Sequence, residues 1–326
     1  MSTQHPAKHA AMIGECLVEL NGMPFGTLHQ TFGGDSLNTA LYLARLMRHA
    51  IDVQYVTAVG IDDLSEGMVH RWRAEGINTR PVLRDAVRPP GLYWIQVGAA
   101  GERSFRYWRG ESAARHLLQH PDFERVAAEL AGVDLIYLSG ISLAIIPAAD
   151  RPILVNLLTQ LANRGVAIAF DSNYRPALWP STDVARAAMA GLLPITHLMF
   201  ATFDDERQLW GDETPQATLT RLKASCAQRI VIKLGAAGCL YNHGATTIPV
   251  PAPTVKNVVD TTAAGDAFNA GFIAGWLTDR SPQVCCRIGN ALAGSVIQHR
   301  GAIIPASATP SLSELLTQFD RESITT

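Results

Sequence analysis

The sequence predicts an α/β fold, a doubly wound and mostly parallel sheet flanked by helices, with a small β lid. Strand-like apolar runs alternate with helix-like segments through most of the chain, which is typical of parallel strands joined by helical crossovers. One stretch breaks this alternation with two β-like runs in succession, which favours a hairpin there. The 326 residues, with 48% hydrophobic and 17% charged content, are sufficient for a packed core of this kind.

Short apolar runs predict the strands of the main sheet, at residues 11–16, 53–58, 135–139, 166–170, 197–201 and 229–234. Helical periodicity between them predicts helices at residues 36–47, 151–163 and 264–278. The chain has no repeat, low-complexity segment or proline-rich linker at which it would divide. We therefore expect one domain over residues 1–326.

The predicted hairpin lies in the first half of the chain. Residues 91–97 and 103–109 are β-like, and a turn that contains residues 98–101 (GAAG) separates them. We expect segments of the chain at about 15–33 and 88–112 to form a lid that closes over a substrate and excludes water. The alternative is an ordinary surface hairpin with no part in function.

The overall charge does not indicate a polyanionic partner. Lys and Arg total 27 against 29 for Asp and Glu, so the formal net charge is −2. A chain without excess positive charge favours neither nucleic acid nor an anionic membrane as a partner. The most apolar run, residues 133–149, contains Asp134 and Pro147 and falls short of the ~20 apolar residues of a membrane helix. Any site for an anion must therefore be local.

The cysteines are odd in number and lack metal-type spacing: Cys16, Cys226, Cys239, Cys285 and Cys286. The amino terminus has no long apolar stretch behind Lys8, so we expect no secretory signal. Both observations favour a location in the reducing cytoplasm.

The strongest functional signal is the segment 260–268 (DTTAAGDAF), where small residues lead into an apolar helix. The side chains of Ala263, Ala264 and Gly265 are small enough to let a phosphate approach the free amides at the helix start, where the helix dipole also favours negative charge. Asp266, in the first turn, would lie beside this anion hole and could accept a hydroxyl proton during phosphoryl transfer. The alternative is an acidic residue that only complements the helix dipole.

A second glycine-rich segment, residues 32–40 (FGGDSLNTA), lies near the amino terminus. Its glycines, including Gly34, would give a ligand close access to the backbone. Asp35 and Asn38 are one helical turn apart, so together they can accept and donate hydrogen bonds to ligand hydroxyls. The alternative is a glycine-rich turn in which Asp35 or Ser36 caps the following helix.

These two segments resemble the signatures of the ribokinase-like (PfkB) carbohydrate kinases. DTTAAGDAFNAGF resembles the family signature DTxGAGD, and GGDSLNTA resembles GG-x-x-x-N-x-A. The resemblance implies a ribokinase-like fold, ATP as phosphoryl donor with Mg²⁺, a monovalent cation as an optional addition, and Asp266 as the general base. Ala263 replaces the usual first glycine of the signature, and its methyl group disfavours a positive φ.

The resemblance also implies a nucleotide site. Residues 232–238 (IKLGAAG) resemble the K-x-G-x-x-G turn of the family, although taken alone they are an ordinary turn with a solvated lysine. Asn290 corresponds to a family Asn near the adenine, with a plain helix-surface Asn as the alternative. The implied nucleotide contacts are Asn173, Arg175, Lys233, Gly235, Gly238, Ala263, Ala264, Gly265 and Asn290.

The expected metal site departs from the family pattern. Many relatives have an N-x-x-E motif, but here Phe203 stands where the Asn would fall. Glu206 retains the acidic end and is the candidate residue, acting through water, because Mg²⁺ usually reaches kinase sites through water and phosphates. Which of Asp204, Asp205 and Glu206 assists the metal stays open.

Two arginines indicate the kind of sugar. A substrate that carries a carboxylate needs a fixed cation, best supplied by the planar fork of arginine. Arg109 shares a strand face with Tyr107, and Arg175 follows a predicted strand. The alternatives are surface ion pairs for the arginines and lid core for Tyr93 and Tyr107.

These positions, with residues 91–94, 138–141 and 300–305, resemble the members of the family that phosphorylate keto sugar acids. The resemblance spans nearly the full chain. The implied substrate contacts are Gly34, Asp35, Asn38, Tyr93, Tyr107, Arg109, Arg175 and Asp266.

Two other functions stay open. A kinase for a neutral sugar such as fructose or ribose would share both signatures and would tolerate the loss of Arg109 and Arg175. A sugar-sensing protein on the same scaffold would bind ligand without ATP turnover, although the intact Asp266 disfavours it. Whichever function is correct, we expect a homo-oligomer, because an exposed β edge on the lid would pair two subunits.

Overall fold

The computed structural model describes residues 8–48, 50–97, 103–225 and 228–324; the predicted turn at residues 98–101 and Cys226 lie outside the described residues. The strands are β1 (Lys8–Ile13), β2 (Leu17–Gly22), β3 (Leu28–Gly33), β4 (Ile51–Val56), β5 (Ala58–Val59), β6 (Leu83–Arg84), β7 (Leu92–Val97), β8 (Arg103–Trp108), β9 (Leu135–Ser139), β10 (Ala167–Asp171), β11 (Leu198–Thr202), β12 (Arg229–Lys233), β13 (Cys239–His243) and β14 (Thr246–Val250). The α-helices are α1 (Asp35–Met47), α2 (Asp63–Ala74), α3 (Phe123–Glu129), α4 (Gly140–Ile145), α5 (Arg151–Asn163), α6 (Thr182–Ala190), α7 (Phe203–Trp210), α8 (Pro215–Ser225), α9 (Ala264–Leu277), α10 (Pro282–Val296) and α11 (Leu312–Ile324). Within the part of the chain that the structure describes, every helix is too short or too polar to span a lipid bilayer.

The larger sheet is mostly parallel. In the described ranges it has eight strands, in the order β14-β13-β12-β11-β10-β9-β1-β4. Neighbouring strands from β4 to β12 run parallel, whereas β13 and β14 pair antiparallel at one edge. Parallel neighbours need long crossovers, which the helices between the strands supply. The predicted fold class is confirmed.

Helices cover both faces of the larger sheet. Along β9, Leu135 and Tyr137 face a core that includes residues of α1, α9 and α10. The alternate residues, Ile136 and Leu138, face a second core that includes residues of α4 to α8. A strand buried on both faces has apolar side chains at successive positions, which explains the continuous apolar runs in the sequence.

Helix α9 is fixed by unusually close packing. A Cβ atom on Gly271 would lie 2.9 Å from the Cα atom of Gly289 on α10, so the two helices touch at their backbones. The helix is buried along most of its length and also packs against α1. These contacts place the amino-terminal turn of α9 beside that of α1.

A second, smaller sheet stands apart from the first, and we call it the small sheet. Its four strands in the described residues have the order β3-β2-β7-β8, with β2 and β7 parallel and the outer pairs antiparallel. Tyr93 is opposite Tyr107, and Trp94 is opposite Arg106, so the two tyrosines share one face of the sheet. The strands of the predicted hairpin are confirmed as β7 and β8.

Two predicted strands end two or three residues earlier than the apolar runs indicated, and the strand predicted at residues 229–234 ends one residue early, at Lys233. The strand expected at residues 11–16 ends at Ile13, because the chain passes so close to α1 that a Cβ atom on Gly14 would lie 2.0 Å from the Ser36 hydroxyl oxygen. The strand expected at residues 53–58 ends at Val56, and the short strand Ala58–Val59 pairs instead with Leu83–Arg84. In both places the chain leaves the larger sheet to reach another element.

Candidate active site

Polar side chains gather at the carboxyl ends of the central strands. Glu15 follows β1, Ser139 ends β9 and Asp171 ends β10. Helix α1 begins beside them at Asp35, and helix α9 begins at Ala264. Ligands of open α/β sheets bind at this edge, so this is the candidate active site.

Asp266 lies in the first turn of α9 and is held there by α1. The Asn38 side-chain amide donates to its Oδ2 atom at 2.8 Å, and the Thr39 hydroxyl donates to its backbone oxygen at 3.3 Å. The surrounding protein desolvates the carboxylate and Asp35 adds a second negative charge, which together raise the pKa of Asp266 to about 7. A carboxylate of this kind can accept a proton near neutral pH.

The anion hole was predicted at the amino terminus of α9. Ala263 precedes the helix with φ 61° and ψ 12°, the left-handed conformation that disfavours alanine. The Ala264 amide donates back to the preceding turn at 3.2 Å, and Ala267 is the next to bond, to the Ala263 oxygen at 2.9 Å. Helix geometry offers the amides of Gly265 and Asp266 no acceptor, so they are available to an anion.

Lys233 is buried beneath this turn. Its Nζ atom donates to Asp171 Oδ2 at 2.9 Å and to Asn269 Oδ1 at 3.3 Å. The Asn269 amide donates to the same Asp171 oxygen at 2.6 Å. A Cβ atom on Gly265 would lie 3.3 Å from Nζ, so the lysine charge lies directly below the anion hole.

The predicted nucleotide turn joins β12 to β13. Its glycines, Gly235 and Gly238, have φ 58° and 94°. A Cβ atom on Gly238 would lie 2.2 Å from the Val250 oxygen, so only glycine permits this approach. The Asn290 side chain, on α10, donates to the oxygens of Val250 and Pro251, each at 3.2 Å. Asn290 therefore holds the chain that follows β14 against the nucleotide turn.

Asp35 links the amino-terminal signature to the carboxyl ends of β9 and β10. Its Oδ2 atom accepts hydrogen bonds from the Ser139 hydroxyl and, at 3.0 Å, from the Asn173 side chain. Asn173 has φ 34°, a conformation that is uncommon outside glycine and is frequent at functional sites. The structure places Asn173 beside the segment predicted to bind the sugar, whereas the resemblance implied a nucleotide contact.

Arg109 and Arg175 each have an acidic partner at this edge of the sheet. Arg109 forms a buried ion pair with Glu15, and the half-exposed Arg175 lies 3.2 Å from Asp205. The guanidinium carbon of Arg109 lies 6.0 Å from the ring centroid of Tyr107. Burial raises the pKa of Tyr107, and the positive charges of Arg109 and Arg175 oppose this rise.

The tyrosines line the face of the small sheet that is turned toward the site. Tyr93 stacks on Tyr107 with the ring centroids 5.8 Å apart, and its hydroxyl bonds to Glu19. Burial and the charge of Glu19 raise the pKa of Tyr93 well above its usual range. A Cβ atom on Gly33 would lie 2.9 Å from the Tyr93 hydroxyl oxygen, so this ring reaches the glycine-rich segment.

Glu206 is buried at the start of α7 and is paired. Its Oε2 atom accepts from Arg221 at 2.5 Å, and burial raises the pKa of its carboxyl. Its Oε1 atom is buried close to the Ser172 hydroxyl, without a hydrogen bond of good geometry to any described residue. In the described ranges, His, Cys, Asp and Glu side chains do not gather in threes as a protein metal cage requires. A contact to Mg²⁺ through water fits Oε1, whereas direct coordination would compete with Arg221.

Several residues of this site, Glu15, Asp171 and Asn269 among them, were not among the predicted site residues. Glu15 was visible in the sequence as an acid in an otherwise apolar segment, and Asp171 as an acid directly after a predicted strand. Asn269 lies three residues after Asp266, on the same side of α9. Each signal is common in proteins, so none of them singled out the residue without the fold.

The fold and the site together define a carbohydrate kinase. Residues 7–309 match the pfkB family carbohydrate kinase, and the chain belongs to that family. The chain is 49% identical over 319 residues to a 2-dehydro-3-deoxygluconokinase of Haemophilus influenzae, covering 96% of this chain and 100% of that protein. It is 44% identical to a 2-dehydro-3-deoxygluconokinase of Dickeya dadantii, covering 93% of this chain and 99% of that protein.

A solved structure supports the same family fold. The crystal structure of a PfkB protein from Polaromonas sp. JS666 matches this chain with a TM-score of 0.81 at 23% identity, covering 96% of this chain and 99% of that one. At this identity the likeness concerns the fold. It agrees with the predicted ribokinase-like architecture.

Proposed function

We propose that this protein transfers the γ-phosphoryl group of ATP to the terminal hydroxyl of 2-dehydro-3-deoxygluconate, also named 2-keto-3-deoxygluconate. The products are ADP and the 6-phosphorylated keto acid. The observation that carries the proposal is that Arg109, paired with Glu15, and Arg175, paired with Asp205, lie at the same edge of the larger sheet as Asp266 on α9. The names of the two relatives, at 49% and 44% identity, agree with this substrate.

In the proposed reaction Asp266 is the general base. As the substrate oxygen forms its bond to the γ-phosphorus, the hydroxyl proton passes to Asp266 and the bond from phosphorus to the ADP oxygen breaks. The amides of Gly265 and Asp266 and the positive end of α9 stabilise charge on the transferring group. A pKa of about 7 leaves a large fraction of Asp266 ionised near neutral pH.

Arg109 and Arg175 bind the substrate carboxylate in this proposal, away from the reacting hydroxyl. Arg109 lies beside the Tyr107 ring, and Arg175 follows β10 at the same edge of the larger sheet, so the two would bind the carboxylate together. Asp35, Asn38, the Gly34 backbone and the Tyr93 ring would contact the rest of the sugar. Fixing the far end of the substrate orients its terminal hydroxyl toward Asp266.

ATP would lie along the nucleotide turn in this proposal, over Lys233, Gly235 and Gly238, with its phosphates at the start of α9. Mg²⁺ bound with the phosphates neutralises part of their charge. Glu206 would hold a water of that ion through its Oε1 atom, and a monovalent cation remains an optional addition.

The small sheet acts as the lid of this site in the proposal, and its other face joins two subunits. That outer face carries a groove of about 480 Å³, lined by Leu20, Pro24, Phe25, Leu28, Leu92, Trp94 and Trp108. Phe25 and Trp108 are exposed, and contiguous apolar surface of this kind marks a contact with another protein. The four described cysteines are free, which agrees with a cytoplasmic location.

The proposal is tested by ADP release from MgATP with 2-dehydro-3-deoxygluconate, fructose and ribose at equal, subsaturating concentrations. We expect turnover largely confined to the keto acid, with mass spectrometry showing one added phosphoryl group. Preference for fructose or ribose would leave the assignment as a kinase standing and would contradict the assigned substrate. Binding of a sugar without ADP release would favour a sensor on this scaffold instead.

A further inference from the structure

Glu15 lies where the small sheet joins the rest of the protein. The residue is only 2% exposed, and β2 begins two residues after it. At the end of β3, a Cβ atom on Gly34 would lie 2.2 Å from the Glu15 backbone oxygen. Before β7, a Cβ atom on Gly91 would lie 2.8 Å from Glu15 Oε1. Glycine is therefore needed at both positions for the chain to pack around this one glutamate.

The fourth strand of the small sheet meets Glu15 through its side chain. Arg109 directly follows β8, and its Nη2 atom pairs with Glu15 Oε2. The exposed fractions of the two side chains are 12% and 1%, so water competes little with the ion pair. Separating such a pair would leave a charge buried and unpaired. Because this is unfavourable, the two groups stay together.

Arg109 also lies beside Tyr107, one of the proposed substrate contacts. Its guanidinium carbon lies 6.0 Å from the Tyr107 ring centroid. The Nε and Nη2 atoms of Arg109 are buried without a hydrogen bond of good geometry to any described residue, and of these two Nη2 is ion-paired with Glu15 Oε2. Because the guanidinium group is planar and rigid, an ion pair at Nη2 sets the direction of its remaining donors.

We propose that Glu15 is a positioning residue for substrate selection, which holds the Arg109 guanidinium in the orientation that receives a sugar-acid carboxylate when the small sheet rests on the site. This inference rests on the proposed function. Glu15 contacts the site-side end of each described strand of the small sheet, so the orientation of Arg109 is tied to the placement of that sheet. The same glutamate thereby links sheet closure to recognition of the carboxylate.

The test is the variant Glu15→Asp, which keeps the charge and shortens the side chain by one methylene. The matched control is Glu75→Asp, because Glu75 forms a comparable ion pair with Arg45 at 2.6 Å, near the far end of α1 from Asp35. For both variants, kcat and the KM values for the keto acid and for ATP are measured, together with Tm.

We expect Glu15→Asp to raise KM for the keto acid by about tenfold or more, because a shift of about 1 Å can cost up to a hundredfold. We expect kcat and KM for ATP to change by less than about threefold, since Asp266 and the nucleotide turn are untouched. Glu75→Asp should lower Tm without changing either KM. Replacement by Glu15→Gln, which preserves length, should restore part of the lost affinity.

Four results would overturn the inference. An unchanged KM for the keto acid would show that Arg109 does not depend on Glu15, and a lower KM would show that Glu15 competes with the substrate. Parallel rises in KM for the keto acid and ATP would indicate general loosening of the fold. Absence of wild-type turnover with the keto acid would contradict the proposed function and this inference together, whereas the other results leave the proposed function standing.

Discussion

Asp266 and its neighbours show how single residues set the chemistry of this site. Burial and the nearby Asp35 carboxylate raise the pKa of Asp266, while the hydrogen bond from Asn38 and the charge of Lys233 oppose the rise. The outcome is a pKa of about 7, against about 4 for an unperturbed aspartate. A base whose pKa is close to the working pH is in large part ionised and still binds a proton firmly.

This leads to a prediction for the pH dependence of catalysis. Asp266 must be ionised to accept the proton, so kcat/KM should fall as pH drops through about 7 and should level off above it. Asn38→Ala removes a hydrogen bond that stabilises the ionised form, and it should move this acidic limb to higher pH. Initial rates between pH 5 and 9 measure both effects. An acidic limb near pH 4 in the wild-type enzyme would contradict the assignment.

Among single residues, the sequence singled out those that lie in short, recognisable motifs. Asp266, Asn38 and Lys233 lie in short segments whose small residues already indicate a ligand. The roles of Glu15 and Asp171 depend on partners far away in the chain, Arg109 and Lys233, which only the folded structure brings within contact. No local spacing encodes such a pair.

Helix α9 is the element on which the site depends most. Its amino-terminal turn carries the anion hole and Asp266, and its glycine contact with α10 fixes where that turn lies. Ala263, at φ 61°, enters the helix in the left-handed conformation that the family's usual glycine adopts readily. The turn therefore forms at the expense of local strain.

The strain at Ala263 predicts an unusual effect of glycine. A left-handed alanine costs about 1–2 kcal/mol, and the extra freedom of glycine in the unfolded chain offsets about 0.4–1 kcal/mol of the gain. Ala263→Gly should therefore increase the free energy of unfolding by about 0.5–1 kcal/mol. The matched change Ala264→Gly, in the helix itself, should decrease it. Denaturant titration compares the two, and destabilisation by both would argue against strain at Ala263.

Element boundaries were less predictable than element types. Residues 151–163 match the structure because Pro152 lies in the first turn and Gly165 follows the end, and residues 135–139 match because the capping box of Ser139 begins the next helix. The strand expected at residues 11–16 ends early because Gly14 packs against α1, a tertiary contact with no local signal. Where the chain leaves one element for another, the residues remain apolar, so the sequence pattern does not show where the strand ends.

At the scale of the whole molecule, the two faces of the small sheet have different roles in this account. The inner face, with Tyr93 and Tyr107, lies toward the site. The outer face is apolar around Leu28 and Trp108 and is exposed in the single chain. One sheet would then close the site and join two subunits.

This arrangement predicts a concentration-dependent dimer through the outer face. Leu28→Glu places a charge in the groove and should shift the protein toward the monomer, because burying an unpaired carboxylate is unfavourable. Ile153→Glu is the matched control, since Ile153 is also exposed but lies on α5, outside the small sheet. Light scattering on the eluting protein gives the molar mass. A monomeric wild-type protein, or a Leu28→Glu variant that remains dimeric, would count against this interface.

The most direct test of the account is the variant Asp266→Asn, which preserves shape and removes the base. We measure kcat with 2-dehydro-3-deoxygluconate and MgATP, together with Kd for each ligand by calorimetry. We expect kcat to fall by about 10²–10⁴-fold while each Kd changes by less than about threefold. Near-normal kcat in Asp266→Asn would contradict the assignment of Asp266 as the base and the mechanism built on it.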